Sequence, residues 1–166
     1  MLNQFSRFTV LFVVLSWSVL TSAAPMASVN DIAPPFSAEL VTGDKVELEQ
    51  YRGRTLLLTF WATWCSPCLR ELPEIEEAYR LFKKQGLDVL AVNFAEDSST
   101  ITAYVNKHKL ALPVAIDEEL VIANTYGVFA LPKSFFINPE GVITKIIIGG
   151  TLTTESIGEI LHQYTP

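Results

Sequence analysis

The chain contains two cysteines, Cys65 and Cys68, which lie three positions apart in the run FWATWCSPC. The preceding residues, 55–61, form a mostly apolar run that is typical of a strand buried on both faces. In the following residues, 67–84, apolar side chains recur every three or four positions, which predicts a helix. Two thiols at the start of a helix can close a small disulfide and reopen it, so this spacing indicates thiol–disulfide redox chemistry.

Length, composition and charge limit the class of protein. The chain has 166 residues, of which 49% are hydrophobic, and its formal net charge is −6. This composition predicts one globular domain with a substantial core. The negative charge argues against a nucleic-acid partner, because binding to phosphates needs clustered Lys and Arg.

The N-terminal stretch, residues 1–24, differs from the rest of the chain. Arg7 is the only charged residue before Asp31, an apolar run covers 8–20, and small residues follow it. This order predicts a secretory signal, or alternatively an uncleaved N-terminal membrane anchor. Both interpretations place the folded part in the periplasm or on the outer face of the cytoplasmic membrane. An oxidising compartment would keep a lone cysteine pair locked as a disulfide, so a working dithiol there needs a supply of electrons.

The remaining sequence predicts an α/β domain. Residues 25–35 are proline-rich without periodicity and predict a linker, and residues 36–166 predict the domain itself. Strands that alternate with helices, followed by a hairpin and a last helix, favour a mixed central sheet with helices on both faces, preceded by an N-terminal β-hairpin. The predicted hairpin covers 36–41 and 45–48. The other predicted strands are 55–61, 87–94, 113–116, 134–138 and 142–148, and the helices are 67–84, 98–109, 118–126 and 153–164. Ser98 or Ser99 is expected to cap the second of these helices.

The predicted helix start assigns different roles to the two thiols. Cys65 falls at the helix N-terminus, where free N–H groups and the helix dipole favour an anion, so its pKa should lie below about 8.5. The same geometry leaves Cys65 exposed and covers Cys68. We therefore predict that Cys65 is the attacking thiol and Cys68 the resolving thiol.

The residues around the cysteines bear on the docking of a partner and on the direction of electron flow. Trp64 is expected on an apolar rim suited to docking another chain, whereas Trp61 is expected in the core. Pro67 fixes the first helical turn, and Ser66 places neither a charge nor an imidazole between the thiols, which favours a reductant.

Three other uses of a cysteine pair were considered. A zinc site would need a second ligand pair, and His108 and His162 lie far along the chain, so no metal is expected. Covalent haem attachment requires a His directly after the second cysteine, where Leu69 stands. A purely structural disulfide remains an alternative interpretation, since an exported protein can carry one.

Three segments together resemble a known family. The run WATWCSPC at 61–68 resembles the active-site motif of the thioredoxin superfamily. The segments LRELP at 69–73 and GVFALPKSFFIN at 127–138 resemble those of its exported TlpA/ResA branch. The resemblance covers roughly residues 36–166, nearly all of the expected mature chain, and implies a thioredoxin-like fold.

The resemblance also implies site residues. Pro132 matches the cis-proline that lies against the active-site disulfide in this family, and its loop pairs with a bound peptide like a strand. Leu131 and Pro132 would then form the substrate-docking surface together with Trp64, Ser66 and Pro67. Glu71 matches a glutamate that this branch keeps near the disulfide.

The chain departs from the wider superfamily at two positions. Thr59 stands where cytoplasmic thioredoxins carry a buried Asp, and Thr cannot accept a proton at working pH. Glu71 is therefore the candidate proton shuttle for Cys68; the competing interpretation is one more exposed helix acid. Lys133 replaces a hydroxyl residue common after the cis-proline and would place a positive charge near the docking groove.

The resemblance and the motif together predict an enzyme, a protein-disulfide reductase that cycles through the Cys65–Cys68 pair without another cofactor. Relatives of this kind reduce cysteines of apocytochrome c with electrons from a membrane thiol carrier. One alternative is a thioredoxin-fold peroxidase, which would need Thr and Pro where Ala62 and Leu58 stand. The other is a copper or metal carrier, which usually has three residues between its cysteines and a nearby His.

Overall fold

Strands and helices alternate through residues 26–164, the part of the chain that the computed structural model describes. The strands are β1 (Ser37–Leu40), β2 (Lys45–Glu47), β3 (Thr55–Trp61), β4 (Leu87–Phe94), β5 (Val114–Asp117), β6 (Lys133–Ile137) and β7 (Ile143–Ile148). The α-helices are α1 (Ser66–Phe82), α2 (Ser98–His108), α3 (Val121–Thr125) and α4 (Thr154–Tyr164), and short 3₁₀ helices cover Leu48–Tyr51 and Lys83–Gln85.

The strands form one mixed sheet in the order β2-β1-β5-β4-β3-β6-β7. Strand β3 runs parallel to β4 and antiparallel to β6, and β1 and β2 pair as an N-terminal hairpin. All seven residues of β3 are buried, as expected for a central strand covered on both faces. The predicted α/β class with a mixed sheet and an N-terminal hairpin is confirmed.

Alternate side chains of β3 enter two separate cores. Leu57 and Trp61 pack on one face with residues of α1, α2 and α4, and Leu58 and Phe60 pack on the other face with α3. Both faces of β3 are covered, so the chain leaves the core only at the carboxyl end of this strand. The chain leaves β3 there and enters α1, so the cysteines lie at this edge of the sheet.

The sequence of helix α1 explains where the helix begins and where it ends. Pro67 occupies its first turn, where a missing N–H costs no helical hydrogen bond. The helix buries Leu72, Ile75 and Ala78 in the core. The 3₁₀ turn that follows it ends at Gly86, whose φ of 102° is a left-handed conformation that favours glycine.

Two predicted helix boundaries are corrected. Helix α3 covers five residues instead of 118–126, because Leu120 adopts a left-handed φ of 57° and stops any earlier start. Helix α2 was expected to be capped by Ser98 or Ser99, but the carboxylate of Asp97 accepts the N–H of Thr100 at 3.0 Å.

The predicted linker, residues 25–35, is also corrected over its described part, because this segment packs on the domain. The N–H of Asn30 donates to the carbonyl of Ile143 at 2.8 Å. The N–H of Ile143 in turn donates to the carbonyl of Asp31 at 2.9 Å. Ala33 is buried. Small apolar residues and backbone bonds hold this segment, and neither produces periodicity in a sequence.

The predicted signal or anchor, residues 1–24, lies outside the described residues. From residue 26 to residue 164, no helix combines the length and the apolar character that crossing a membrane requires.

The carboxylate of Asp117 fixes the start of α3, which leads into the loop before β6. Asp117 is buried and accepts the N–H groups of Ile122 at 3.0 Å and of Ala123 at 2.8 Å. Asp117→Ala leaves both donors without this acceptor, so we expect the free energy of unfolding to fall by about 2 kcal/mol. Urea denaturation measures this loss, with the exposed neighbour variant Glu118→Ala as control; equal midpoints for the two variants would contradict the assignment.

Candidate active site

The two cysteines form a disulfide between the end of β3 and the first turn of α1. The sulfur atoms are bonded at 1.98 Å, and the Cα atoms are 5.3 Å apart. Cys65 is the N-cap residue of α1, and its Sγ accepts the N–H of Cys68 at 3.3 Å. A sulfur at this position faces the free N–H groups of the helix start, which stabilise a thiolate when the disulfide is reduced.

Both sulfurs are covered in this disulfide state. Cys65 is 4% exposed and Cys68 is 1% exposed. Cys65 was expected to be exposed, and that expectation is wrong for the disulfide form, because both cysteines pack in the hydrophobic core that also contains Trp61 and Leu72. Cys65 still keeps the larger accessible surface of the two.

The loop before β6 carries Pro132, and the Leu131–Pro132 peptide bond is cis. Lys133, the next residue, is in register with Phe60 of β3, which brings this loop beside the end of β3. The carbonyl of Pro132 accepts the N–H of Gly149 at 2.9 Å. The backbone of Pro132 is therefore tied to the loop after β7.

The predicted docking residues differ in accessibility. Trp64 is 65% exposed and Ser66 is exposed, Pro67 and Leu131 are half-buried, and Pro132 is buried. Trp61, in contrast, is buried in the core as expected.

Sequence reasoning missed the loop after β7, which also borders the disulfide region. A Cβ on Gly150 would lie 3.1 Å from both the Cβ and the carbonyl oxygen of Pro67, so a side chain there would displace the first turn of α1. Phe129, on the loop before β6, and Ile148, the last residue of β7, are 73% and 69% exposed. The Gly149-Gly150 pair was the available signal for this close approach.

Glu71 is buried one turn along α1 from Cys68. Its carboxylate accepts the N–H of Leu152 at 2.6 Å, which ties α1 to the segment before α4. Burial raises the pKa of Glu71, and hydrogen bonds from the N–H groups of Leu152 and Thr151 lower it in part. The structure therefore excludes the interpretation of Glu71 as one more exposed helix acid.

A neutral hydroxyl pair occupies the position of the missing Asp. Thr59 and Ser134 lie opposite each other on β3 and β6, both buried, with their hydroxyl oxygens 2.8 Å apart. Neither group accepts a proton at neutral pH. The buried carboxylate of helix α1 is that of Glu71.

The ammonium group of Lys133 is bound within its own loop. Its Nζ donates to the carbonyl of Gly127 at 3.0 Å and lies 5.1 Å from the centre of the Phe135 ring. Burial lowers the pKa of Lys133. The ammonium group of Lys133 therefore has partners within the protein and does not need a substrate to bind its charge.

Glu96, which no sequence motif singled out, contacts the loop that leads into Cys65. Its carboxylate accepts the backbone N–H of Thr63 at 2.7 Å and the side-chain amide of Asn93 at 2.8 Å. The hydroxyl of Thr63 donates to its other oxygen.

Metal binding was the other chemistry considered for the cysteines. Between residues 26 and 164, no three His, Cys, Asp or Glu side chains cluster closely enough to hold a metal ion.

The chain matches the model of one protein family and is similar to named bacterial proteins. The model of the AhpC/TSA family matches residues 29–146. The thiol-disulfide oxidoreductase ResA of Geobacillus thermodenitrificans is 38% identical over 139 residues, which cover 84% of this chain and 79% of that protein. ResA of Bacillus subtilis is 34% identical over 134 residues, covering 81% of this chain and 74% of that protein.

Solved structures show the same fold. StoA from Bacillus subtilis superimposes with a TM-score of 0.68 at 25% identity, covering 77% of this chain and 96% of that one. The exposed lipoprotein thioredoxin Etrx1 from Streptococcus pneumoniae gives a TM-score of 0.71 at 28% identity, covering 78% and 99%. The predicted thioredoxin-like fold and ResA-like family are confirmed. This chain belongs to the AhpC/TSA family and, within it, to the ResA-like thiol–disulfide oxidoreductases.

Proposed function

We propose that this oxidoreductase is exported and reduces protein disulfides, such as those of apocytochrome c, with electrons from a membrane thiol carrier. The observation that carries the proposal is the Cys65–Cys68 disulfide at the N-terminus of α1, with a buried carboxylate, Glu71, on the same helix. The N-terminal residues 1–24 support export, either through a cleaved signal or as a retained anchor.

In the proposed cycle, the reduced enzyme donates two electrons through its two sulfurs. The Cys65 thiolate attacks one sulfur of the substrate disulfide, forms a mixed disulfide and releases the first substrate thiolate. Cys68 then attacks the Sγ of Cys65, which releases the second substrate thiol and forms the enzyme disulfide. The donor dithiol restores the enzyme by the reverse exchange, so the cycle needs no other cofactor.

Glu71 is the proposed proton shuttle for the second attack. Cys68 must lose its proton before it attacks, and a neighbouring carboxylate can accept that proton. When the donor reduces the enzyme, Cys68 leaves as a thiolate and takes the proton back. Burial raises the pKa of Glu71 above its ordinary value, which brings it closer to that of a thiol and favours both directions of transfer.

The proposed docking surface is apolar and consists of the exposed indole of Trp64 with Ser66, Pro67, Leu131 and Pro132. The carbonyl of Pro132 is engaged by Gly149, so we assign strand-like pairing with a bound peptide to the backbone of Leu131.

The structure gives no support to the peroxidase alternative. Ala62 and Leu58 stand at the positions where such enzymes carry Thr and Pro, and both are buried in the core.

Substitution of each cysteine separates the two steps. We expect Cys65→Ser to abolish reduction of insulin disulfides by dithiothreitol-reduced protein, because no thiolate remains at the helix start. Cys68→Ser should still attack but not resolve, so a mixed disulfide with insulin should accumulate on non-reducing gels. Full activity of the Cys65→Ser variant would reject the mechanism.

Replacing the proposed proton shuttle, Glu71, should slow the resolution of the mixed disulfide. We expect Glu71→Gln to lower the rate at which the mixed disulfide resolves about 100-fold, because a positioned acid–base group contributes about 10²–10⁴. Stopped-flow measurement across pH should also lose the ionisation that belongs to Glu71. Glu77→Gln, a change at a half-exposed carboxylate of the same helix that pairs with Arg80, is the matched control. Equal rates for the two variants would remove Glu71 from the mechanism.

The buried carboxyl also predicts a pH dependence of stability. Since burial raises the pKa of Glu71 above 4.5, the folded state binds its proton more tightly than the unfolded state does. Its contribution is fully present below the unfolded pKa and is lost as pH rises through the folded pKa, with a slope of at most about 1.4 kcal/mol per pH unit. The difference in unfolding free energy between the oxidised wild type and Glu71→Gln, measured in urea from pH 4 upward, should follow this curve; a flat difference would contradict it.

A further inference from the structure

We propose that Glu96 is a positioning residue that holds the sulfur of Cys65 at the N-terminus of α1 by fixing the loop before it. The inference rests on the proposal above that Cys65 is the attacking thiol. Glu96 acts on the position of the sulfur through Thr63.

The contacts of Glu96 converge on the backbone and side chain of one loop residue. Oε2 accepts the backbone N–H of Thr63 at 2.7 Å, and Oε1 accepts its hydroxyl. Oε2 also accepts the side-chain amide of Asn93 at 2.8 Å. Three donors on one carboxylate restrain both its position and the position of Thr63, because hydrogen bonds to a charged acceptor are the strong ones.

The sheet supplies the fixed side of this contact. Asn93 is fully buried near the end of β4 and is in register with Trp61, the last residue of β3. Ala95 then adopts a φ of 62°, a left-handed conformation that residues other than glycine rarely adopt, and its N–H donates to the carbonyl of Asp117 at 3.3 Å. This turn lies directly before Glu96, so the carboxylate is anchored on rigid strands.

The restraint reaches Cys65 through a closed turn. The N–H of Cys65 donates to the carbonyl of Ala62 at 3.1 Å, and Thr63 lies inside the turn that this bond closes. The next bond in the series is the one from the N–H of Cys68 to the Sγ of Cys65. A loop released from Glu96 would let Cys65 leave the cap position, and its thiolate would then lose the N–H groups of the helix.

Loss of the negative charge of Glu96 and loss of its positioning contacts predict opposite changes in the pKa of Cys65. A negative charge near the thiolate raises the pKa of Cys65, so its removal alone would lower that pKa. Loss of positioning would raise it. Gln at position 96 separates the two, because its oxygen can accept from Thr63 N–H and Asn93 while its amide donates to the Thr63 hydroxyl, which can rotate to accept.

The experiment compares Glu96→Ala, Glu96→Gln and Thr63→Val with the wild type, and uses the exposed Glu119→Ala as the carboxylate control. The readouts on reduced, full-length protein are the pH dependence of iodoacetamide alkylation at Cys65 and kcat/KM for insulin. We expect Glu96→Ala to raise the pKa of Cys65, with alkylation falling about tenfold at pH values below it, and kcat/KM falling alongside. Glu96→Gln should keep the wild-type pKa or a lower one, Thr63→Val should shift it upward by less, and Glu119→Ala should match the wild type.

Two results would overturn the inference. One is an unchanged Cys65 pKa in a folded Glu96→Ala variant, and the other is a lowered pKa in both Glu96 variants, which would assign the effect to charge. If Glu96→Ala does not fold, Thr63→Val decides, since an unchanged pKa there also overturns the inference. A wild-type Cys65 with an ordinary thiol pKa would instead count against the proposed attacking role, so the two failures are distinguishable.

Discussion

The site depends on the placement of one sulfur at the N-terminus of a helix. Cys65 is the N-cap of α1, and its Sγ accepts the N–H of Cys68. A thiolate there is stabilised by free N–H groups that the helix cannot satisfy internally, so the reactivity of the thiol follows from where the helix begins. That start is fixed by β3, which is buried on both faces and delivers the chain to the edge of the sheet.

A thiol must lose its proton before it attacks a disulfide, and in the proposed cycle a buried carboxylate accepts that proton. Strands β3 and β6 present the hydroxyl pair of Thr59 and Ser134, and neither hydroxyl takes up a proton at neutral pH. The carboxylate lies on the helix instead, at Glu71, where the N–H of Leu152 fixes it from another part of the chain. Burial raises the pKa of Glu71 and costs stability when the carboxyl is ionised, and this cost falls at a buried position one helical turn from Cys68.

The sequence predicts this architecture well where the information is local. The apolar run of β3, the periodicity of α1 and the glycine at its end each act over a few residues, and the structure reproduces them closely. The failures have two causes. The late start of helix α3 depends on the left-handed backbone of Leu120 and on the carboxylate of Asp117, which no periodicity reveals. The segment at 27–33 is held by backbone bonds to the distant strand β7, and these bonds leave no pattern in the sequence. Cys65 and Cys68 were found by spacing alone, whereas Glu71 needed the family resemblance.

The contacts of Glu96 show why a motif can be complete in sequence and still depend on residues outside it. The motif specifies a strand, a turn and a helix, but a turn of a few residues has no core of its own and needs an external restraint. The carboxylate of Glu96 comes from the end of β4, the neighbouring parallel strand, because the carboxyl ends of parallel strands meet at one edge of the sheet. Residues that follow one strand are thus placed to restrain the loop that follows the next. In this fold, the rigidity of the reactive thiol is therefore a property of two adjacent strands, and the second of them carries no cysteine.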